Sequence, residues 1–591
     1  MTVYQAPIAD LTLALHTAGL AEVTALPGCE EVGEDLVCAI LEEAGKLAAG
    51  VLAPLNPVGD RQGCHLEDGR VITPEGFPDA YRQFCEGGWN GVPFDPEYGG
   101  QGLPWLIATA LQEIWQAANM AFGLAPMLTA GAVELLSRHG SDAQKALWLP
   151  RLISGEWSGT MNLTEPQAGS DLAAVRTRAE PAPDLGPDQY RVFGTKIFIT
   201  HGDQDMSANI VHMVLARLPD APPGIKGISL FIVPRLLVDA EGTLGAANDV
   251  RCVSLEHKLG IHGSPTCVMA FGDQGGAIGT LVGEANRGIE YMFTMMNNAR
   301  LAVGVQGVGV AERACQAALA YAGERVQGPD VVTRKPESVT IVHHPDVRRS
   351  LMTMRALTQA ARLITLATAA ALDGADRHPD PEARARAEAR AALLTPIAKG
   401  WSTDIAVTVA NMGIQVHGGM GYVEETGAAQ LLRDARITPI YEGTNGIQAL
   451  DLIGRKTARD KGAALSALLA DMRATQARAR DTWPALADGL GRGLDDLEAA
   501  RAWVLEHADP VSLQAGATPL LALAGLATGA WLLLEQALKA ATLAPSRAEA
   551  HRVTASFFIG HLLPATSGHR EALKAGPADL MALSPDDLAS R

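Results

Sequence analysis

The sequence predicts an α+β protein in which a helical region, a β region and two further helical regions follow one another along the chain. Three observations lead there. Apolar residues recur at helical spacing over residues 35–52 and 103–136. From about residue 159 the texture changes to short β-branched and aromatic runs punctuated by Gly, Pro and Asp. Helical texture returns at Gly288 and persists to the end of the chain.

In order, residues 1–35 read as an N-terminal extension, 36–158 as a helical domain, 159–285 as a small antiparallel sheet or barrel, 286–460 as a helical bundle, and 461–591 as a further helical domain. The strands are expected at Tyr190, Arg191, Val192 and Phe193, at residues 196–200, 210–215 and 228–233. Two loops, 328–336 and 373–381, interrupt the bundle because both mix Gly, Pro and charges. Beyond them, alternating charge on alanine reads as a solvated helix face, with Glu382 and Arg386 paired at i,i+4. Residues 517–534 are uncharged and largely apolar, near the lower limit for a membrane span. Pro519, two glycines, two threonines and the adjoining Glu535 favour a buried core helix instead.

A chain of 591 residues with 47% hydrophobic content has ample material for several cores. The formal charge of -18 opposes attachment to nucleic acid or anionic membranes. The seven cysteines are scattered and none form a C-x-x-C pair, so neither a disulfide frame nor a zinc site is suggested. The start, Met1, Thr2 and Val3, carries Asp10 before any basic residue and lacks the charged n-region of a secretory signal; a cytoplasmic protein is expected. His343, His344 and His417 find no third ligand at metal spacing, so no metal is expected.

Chemistry concentrates in three stretches. Glu442 follows Ile440 and Tyr441, whose apolar surfaces disfavour a charged carboxylate and raise its pKa towards the range useful to a general base. Gly443, Thr444, Asn445 and Gly446 follow, a pattern equally suited to a turn with a helix cap. Residues 161–171 (MNLTEPQAGSD) place short donors on a loop fit for a heteroaromatic ring and phosphates, or for an ordinary cap at Ser170 or Asp171. Residues 194–202 (GTKIFITHG) read as a strand with Lys196, Phe198 and Thr200 on one face, where a flat cofactor could lie. Gly304, Gly307 and Gly309 have the wrong spacing for a dinucleotide fingerprint and no strand before them, so NAD is not supported.

Together with PEYGGQG at 96–102, Arg287-Gly288-Ile289, the YAGER of 321–325, the QVHGG of 415–419 and the YEGT of 441–444, these motifs resemble the acyl-CoA dehydrogenase family, in family order across residues 96–455. The extra N- and C-terminal regions are similar to its large subgroup, which includes 3-(methylthio)propionyl-CoA dehydrogenases and broad-range bacterial enzymes. The resemblance implies FAD between the β domain and the bundle, an acyl-CoA substrate oxidised to trans-2-enoyl-CoA, electron-transfer flavoprotein as acceptor, and a homodimer, with a homotetramer as alternative.

It further implies Glu442 as the base that removes the α-proton, with its own backbone N–H on the thioester carbonyl. Arg300, Tyr441, Gly443 and Ser170 would touch substrate, Arg300 having a helix-packing salt bridge as its alternative. Met161, Leu163, Thr164, Gly169 and Ser170 would hold the flavin, with Phe198 packed on the ring in place of the family's tryptophan and Thr200 near N5. Arg325, Gln327, Gln415, Gly418 and Gly419 would reach the neighbouring subunit's FAD, and Thr444 the phosphates. Met161 also replaces a family aromatic. An acyl-CoA oxidase shares fold, cofactor and base. A DNA-associated alkylation-response relative is disfavoured by the charge, and a nitroalkane-oxidase-like activity by Glu rather than Asp at 442.

Overall fold

A computed structural model describes residues 4–589 apart from 187 and 335; the leader reading of Met1, Thr2 and Val3 lies outside them. The chain forms two compact units. One comprises Lys46–Leu103 and Ala118–Ala299, the other Met1–Gly45, Pro104–Ala117 and Arg300–Arg591.

The first unit is built on an eight-stranded sheet: β1 (Trp157–Asn162), β2 (Arg178–Pro181), β3 (Gln189–Thr200), β4 (Asn209–Arg217), β5 (Ile228–Pro234), β6 (Val250–Leu255), β7 (Thr266–Phe271) and β8 (Ala277–Leu281). The order is β6-β7-β3-β8-β5-β4-β1, with β2 bridging β3 and β4. The sheet is mixed rather than antiparallel, because β1 runs parallel to β4 over six residue pairs and β2 also meets β4 in parallel. Val192, Ile199, Val214, Phe231, Val233, Met269 and Phe271 form its core. In the same unit, Phe77, Tyr81 and Phe84 of the helix Phe77–Glu86 surround the ring of Phe122 at 5.8–6.4 Å.

The apolar run expected over 103–136 is two helices, Trp105–Ala118 and Met120–His139. Asn119 adopts φ -159° and ψ 94° between them, and its side chain accepts from Phe122 N. A short polar side chain that caps the following turn breaks the helix without disturbing the apolar pattern.

In the second unit, the helix Pro345–Arg377 runs through most of the loop expected at 373–381, leaving only His378 to Asp380 outside a helix. Asp373 explains this: fully buried, it accepts from Trp105 N at 2.7 Å and Leu106 N at 2.8 Å, capping the Trp105–Ala118 helix. Burial pushes its carboxyl up to about 7. Nearby, Arg362 grips Glu113 through Nε (2.8 and 2.9 Å) and reaches Glu312 through Nη2 (2.8 Å). Glu382 and Arg386 pair at 3.9 Å on an exposed face.

The glycines excluded as a nucleotide motif bring helices together. A Cβ on Gly304 would lie 2.6 Å from Ala398 O, one on Gly307 2.8 Å from Ser402 O, and one on Gly309 2.7 Å from Ala117 N. The helix Gly288–Glu324 thus meets Pro381–His417 backbone to backbone, an approach any side chain would prevent. The helix Pro510–Leu543 packs on the bundle through a side chain instead, Gly525 leaving room for the Trp401 indole. Among the described residues this helix and Met120–His139 are long and apolar enough to cross a membrane, and 78% of each apolar window is buried in the protein.

Candidate active site

Glu442 and Gly443 are consecutive left-handed residues, with φ +55° and +80°. The turn that carries them is held from four directions. Tyr441 donates its hydroxyl to Gln306 Oε1 on the helix Gly288–Glu324. Asn445 N returns to Pro439 O at 2.9 Å. Thr444 Oγ1 accepts from Ile447 N and caps the helix Asn445–Leu450. Gln448, fully buried, donates Nε2 to Glu442 O at 3.4 Å and Gly443 O at 3.3 Å. The cap and the poised carboxylate, alternatives in the sequence, are both present.

Burial pushes the Glu442 carboxyl up to about 7, against the positive charges of Lys399 and Arg300, which favour its ionised form. A carboxyl tuned to that range accepts a proton efficiently near neutral pH. Gly443 cannot be replaced without strain, since its φ is positive and a Cβ would lie 2.9 Å from Gln448 Nε2. Gly443→Ala is expected to cost about 1–2 kcal/mol, read as a lower denaturation midpoint. Because the substitution also displaces Glu442, flavin reduction is expected to slow at least about tenfold in stopped flow, since small misplacements of reacting groups cost up to about 10²-fold.

Lys399 was not legible as part of this site. It is fully buried on the helix Pro381–His417, and its Nζ donates to Asn445 Oδ1 at 2.9 Å. Asn445 Nδ2 reaches Gly400 O (2.9 Å), Thr403 Oγ1 (2.9 Å) and Asp404 Oδ1 (2.7 Å). Burial pulls the Lys399 ammonium down to about 7, with Glu442 and Asp404 opposing. The available signal was a lone cation in the apolar run Pro396, Ile397, Ala398, Gly400, Trp401. Arg300 is also buried, its guanidinium 3.9 Å from a Cβ built on Gly443 and drawn by Asp451 and Glu442. It therefore stands at the turn that carries Glu442. Arg325, Gln327, Gln415, Gly418 and Gly419 are all exposed or half-exposed on the surface of this unit.

In the other unit, Glu165 and Lys196 organise the loop that follows β1. Lys196 Nζ donates to Glu165 Oε1 (2.8 Å) and Leu163 O (3.1 Å), and Glu165 accepts also from Thr177 Oγ1 (2.6 Å), Thr177 N (3.0 Å), Arg176 N (2.8 Å) and Gln167 Nε2 (2.6 Å). Burial alone would raise the Glu165 carboxyl, but Lys196 and these donors hold it down at about 2.

The strand face expected for Lys196, Phe198 and Thr200 does not exist as one face. Lys196 and Ile199 are both buried, while Phe198 is 58% exposed at φ +58°. Opposite Val268, β3 inserts an extra residue: Ile199 pairs with Cys267 and Lys196 with Met269. Such a bulge resets the alternation. It turns Phe198 outward beside Thr164, whose carbonyl accepts from Ile197 N at 2.9 Å. Met161 is buried in β1, Leu163, Thr164 and Thr200 are half-buried, and Gly169 and Ser170 are exposed on the loop. An outward aromatic plane suits the isoalloxazine ring of FAD, and an exposed loop with Gly169, around which a Cβ would meet nothing within 4 Å, and Ser170 suits its phosphates.

Successive segments match the acyl-CoA dehydrogenase N-terminal domain (38–156), middle domain (160–274) and C-terminal domain (286–457), followed by an acetyl-CoA dehydrogenase C-terminal-like domain (468–584). The chain is 50% identical over 545 residues, 91% of each protein, to 3-methylmercaptopropionyl-CoA dehydrogenase of Ruegeria pomeroyi. It shares its fold with ACDH-11 of Caenorhabditis elegans (TM-score 0.79, 21% identity, 99% of this chain and 96% of that one). The same holds for a Bacillus anthracis acyl-CoA dehydrogenase solved with FAD (TM-score 0.75, 21% identity, 94% and 90%). With the family's three domains matched in order and half its residues shared with a named acyl-CoA dehydrogenase across nearly its whole length, this chain belongs to the acyl-CoA dehydrogenase family of FAD-dependent oxidoreductases.

Proposed function

We propose that Glu442 removes the α-proton of a short acyl-CoA thioester, 3-(methylthio)propionyl-CoA foremost, with fatty acyl-CoAs as further substrates. The observation that carries the base assignment is the half-buried carboxyl on a left-handed turn, raised to about 7 and faced by two buried cations. The 50% identity to the Ruegeria pomeroyi enzyme supports the choice of acyl group. FAD, when bound, supplies the acceptor for the β-hydride. Phe198 would pack on its ring, Thr164 and Thr200 would bond its edges, and Met161, Leu163, Gly169 and Ser170 would complete its surroundings. The Glu442 backbone N–H would hold the thioester carbonyl as enolate charge develops, with Tyr441, Gly443 and Arg300 shaping the space around it. Arg325, Gln327, Gln415, Gly418 and Gly419 would complete the flavin site of a second copy in a homodimer. Electrons would pass to electron-transfer flavoprotein in the cytoplasm.

Anaerobic mixing of the holoenzyme with a panel of acyl-CoAs tests this. The visible flavin band should bleach fastest with 3-(methylthio)propionyl-CoA and more slowly with straight-chain thioesters of increasing length. A faster reaction with a long-chain thioester would overturn the substrate assignment. Rapid reoxidation by air with stoichiometric peroxide would replace the electron-transfer flavoprotein by oxygen.

A further inference from the structure

Two buried cations face Glu442 from two different helices. Arg300, on Gly288–Glu324, has its charge shared with Asp451 and set against Arg455. Lys399, on Pro381–His417, is the other; Asp404 is its second acidic neighbour and itself faces Arg436, while Asp434 faces Tyr441. Lys399 is also tied mechanically to the base. Its ammonium is hydrogen-bonded to Asn445, three residues past Glu442, and Asn445 is clamped in turn by Gly400, Thr403 and Asp404 of the lysine's own helix. Ala398 and Lys399 lie at the backbone contact with Gly304, so the lysine stands on a rigid platform. A fully buried ammonium on such a platform, linked through one side chain to the turn of the base, is more than a helix-packing residue requires.

We propose that Lys399 is a positioning residue for Glu442: anchored through Asn445, it fixes a buried positive charge beside the carboxylate and keeps it in its proton-accepting form. This rests on Glu442 being the base. Because a neighbouring opposite charge shifts a carboxyl by roughly 1–3 units, Lys399→Met should move the acid limb of the pH profile for flavin reduction upward by about one unit. The rate at pH near 6 should then fall about tenfold, while the high-pH plateau changes less than about threefold.

Lys399→Gln separates charge from hydrogen bonding, since it can still donate to Asn445, and it should shift the limb as Lys399→Met does. Asn445→Asp places a carboxylate on the ammonium and should move the limb in the same direction. The carboxyl stretch of Glu442, followed by infrared difference against Glu442→Gln, should titrate at the same raised pH without any turnover. If Lys399→Gln restores the wild-type profile, or none of the three variants shifts the limb or the infrared titration while Glu442→Gln is inert, the role of Lys399 is refuted alone. If Glu442→Gln itself reduces flavin at the wild-type rate, the base assignment falls and this inference with it.

Discussion

Glu442→Gln should bind FAD normally, keep its visible spectrum, and reduce it about 10³-fold more slowly when mixed anaerobically with acyl-CoA, within the range of about 10²–10⁴ that a general base contributes. The amide keeps the shape of the side chain and its place on the left-handed turn, so only the proton acceptor is lost. In the wild-type enzyme, kcat/KM should fall about tenfold per pH unit below about 7, where the carboxyl becomes protonated. That limb should be absent from the residual activity of the variant. Stopped-flow spectrophotometry across pH measures both effects, and a variant retaining a tenth of the wild-type rate would refute the assignment.

Lys196→Met should destabilise the unit that carries the sheet by about 3–5 kcal/mol, the usual cost of leaving one member of a buried ion pair without its partner. Chemical denaturation followed by strand circular dichroism reads this directly. FAD content after dialysis should fall in parallel, because Lys196 also holds Leu163 O and so the backbone next to Thr164. Adding Glu165→Gln should recover at least about half of the loss, since the stranded charge is then gone.

The pair has a pH signature. Glu165 sits at about 2, below its unfolded value near 4.3, so its contribution of about 3 kcal/mol is complete above about pH 4.3 and vanishes as pH falls through 2. Burial pulls the Lys196 ammonium down to about 8 despite the attraction of Glu165, so it costs stability below pH 8 and the cost disappears as pH rises past about 10.4. Stability should therefore climb in two windows, and Lys196→Met should abolish the upper one.

The order of helical and β regions was legible because it rests on period, which survives single substitutions. The Tyr441, Glu442, Gly443, Thr444 stretch was legible because carboxylate, glycine and cap residue stand adjacent in the chain. What escaped has a common cause: a residue whose role is set by a partner distant in the chain, from tens to hundreds of residues away. Asp373 was assigned to a loop by its Gly and Pro neighbours, yet the amides of Trp105 and Leu106 hold it in a helix. Lys399 gave no sign of its link to Asn445, 46 residues on. Phe198 was assigned to the wrong partners by strict alternation, because a bulge is decided by the opposing strand as much as by its own sequence. Asn119, by contrast, was a local signal passed over in an apolar run.

The backbone contact of Gly304 with Ala398 and of Gly307 with Ser402 bears on how this architecture can diversify. Two helices that touch main chain to main chain have no slack along their common normal, so their separation is a fixed dimension of the fold near the base. A descendant that accepts a larger or smaller acyl group cannot acquire it by sliding these helices apart or together. It must exchange side chains around an unmoving frame, and substrate range in such a lineage should drift in discrete steps set by residue volume rather than by gradual breathing of the bundle.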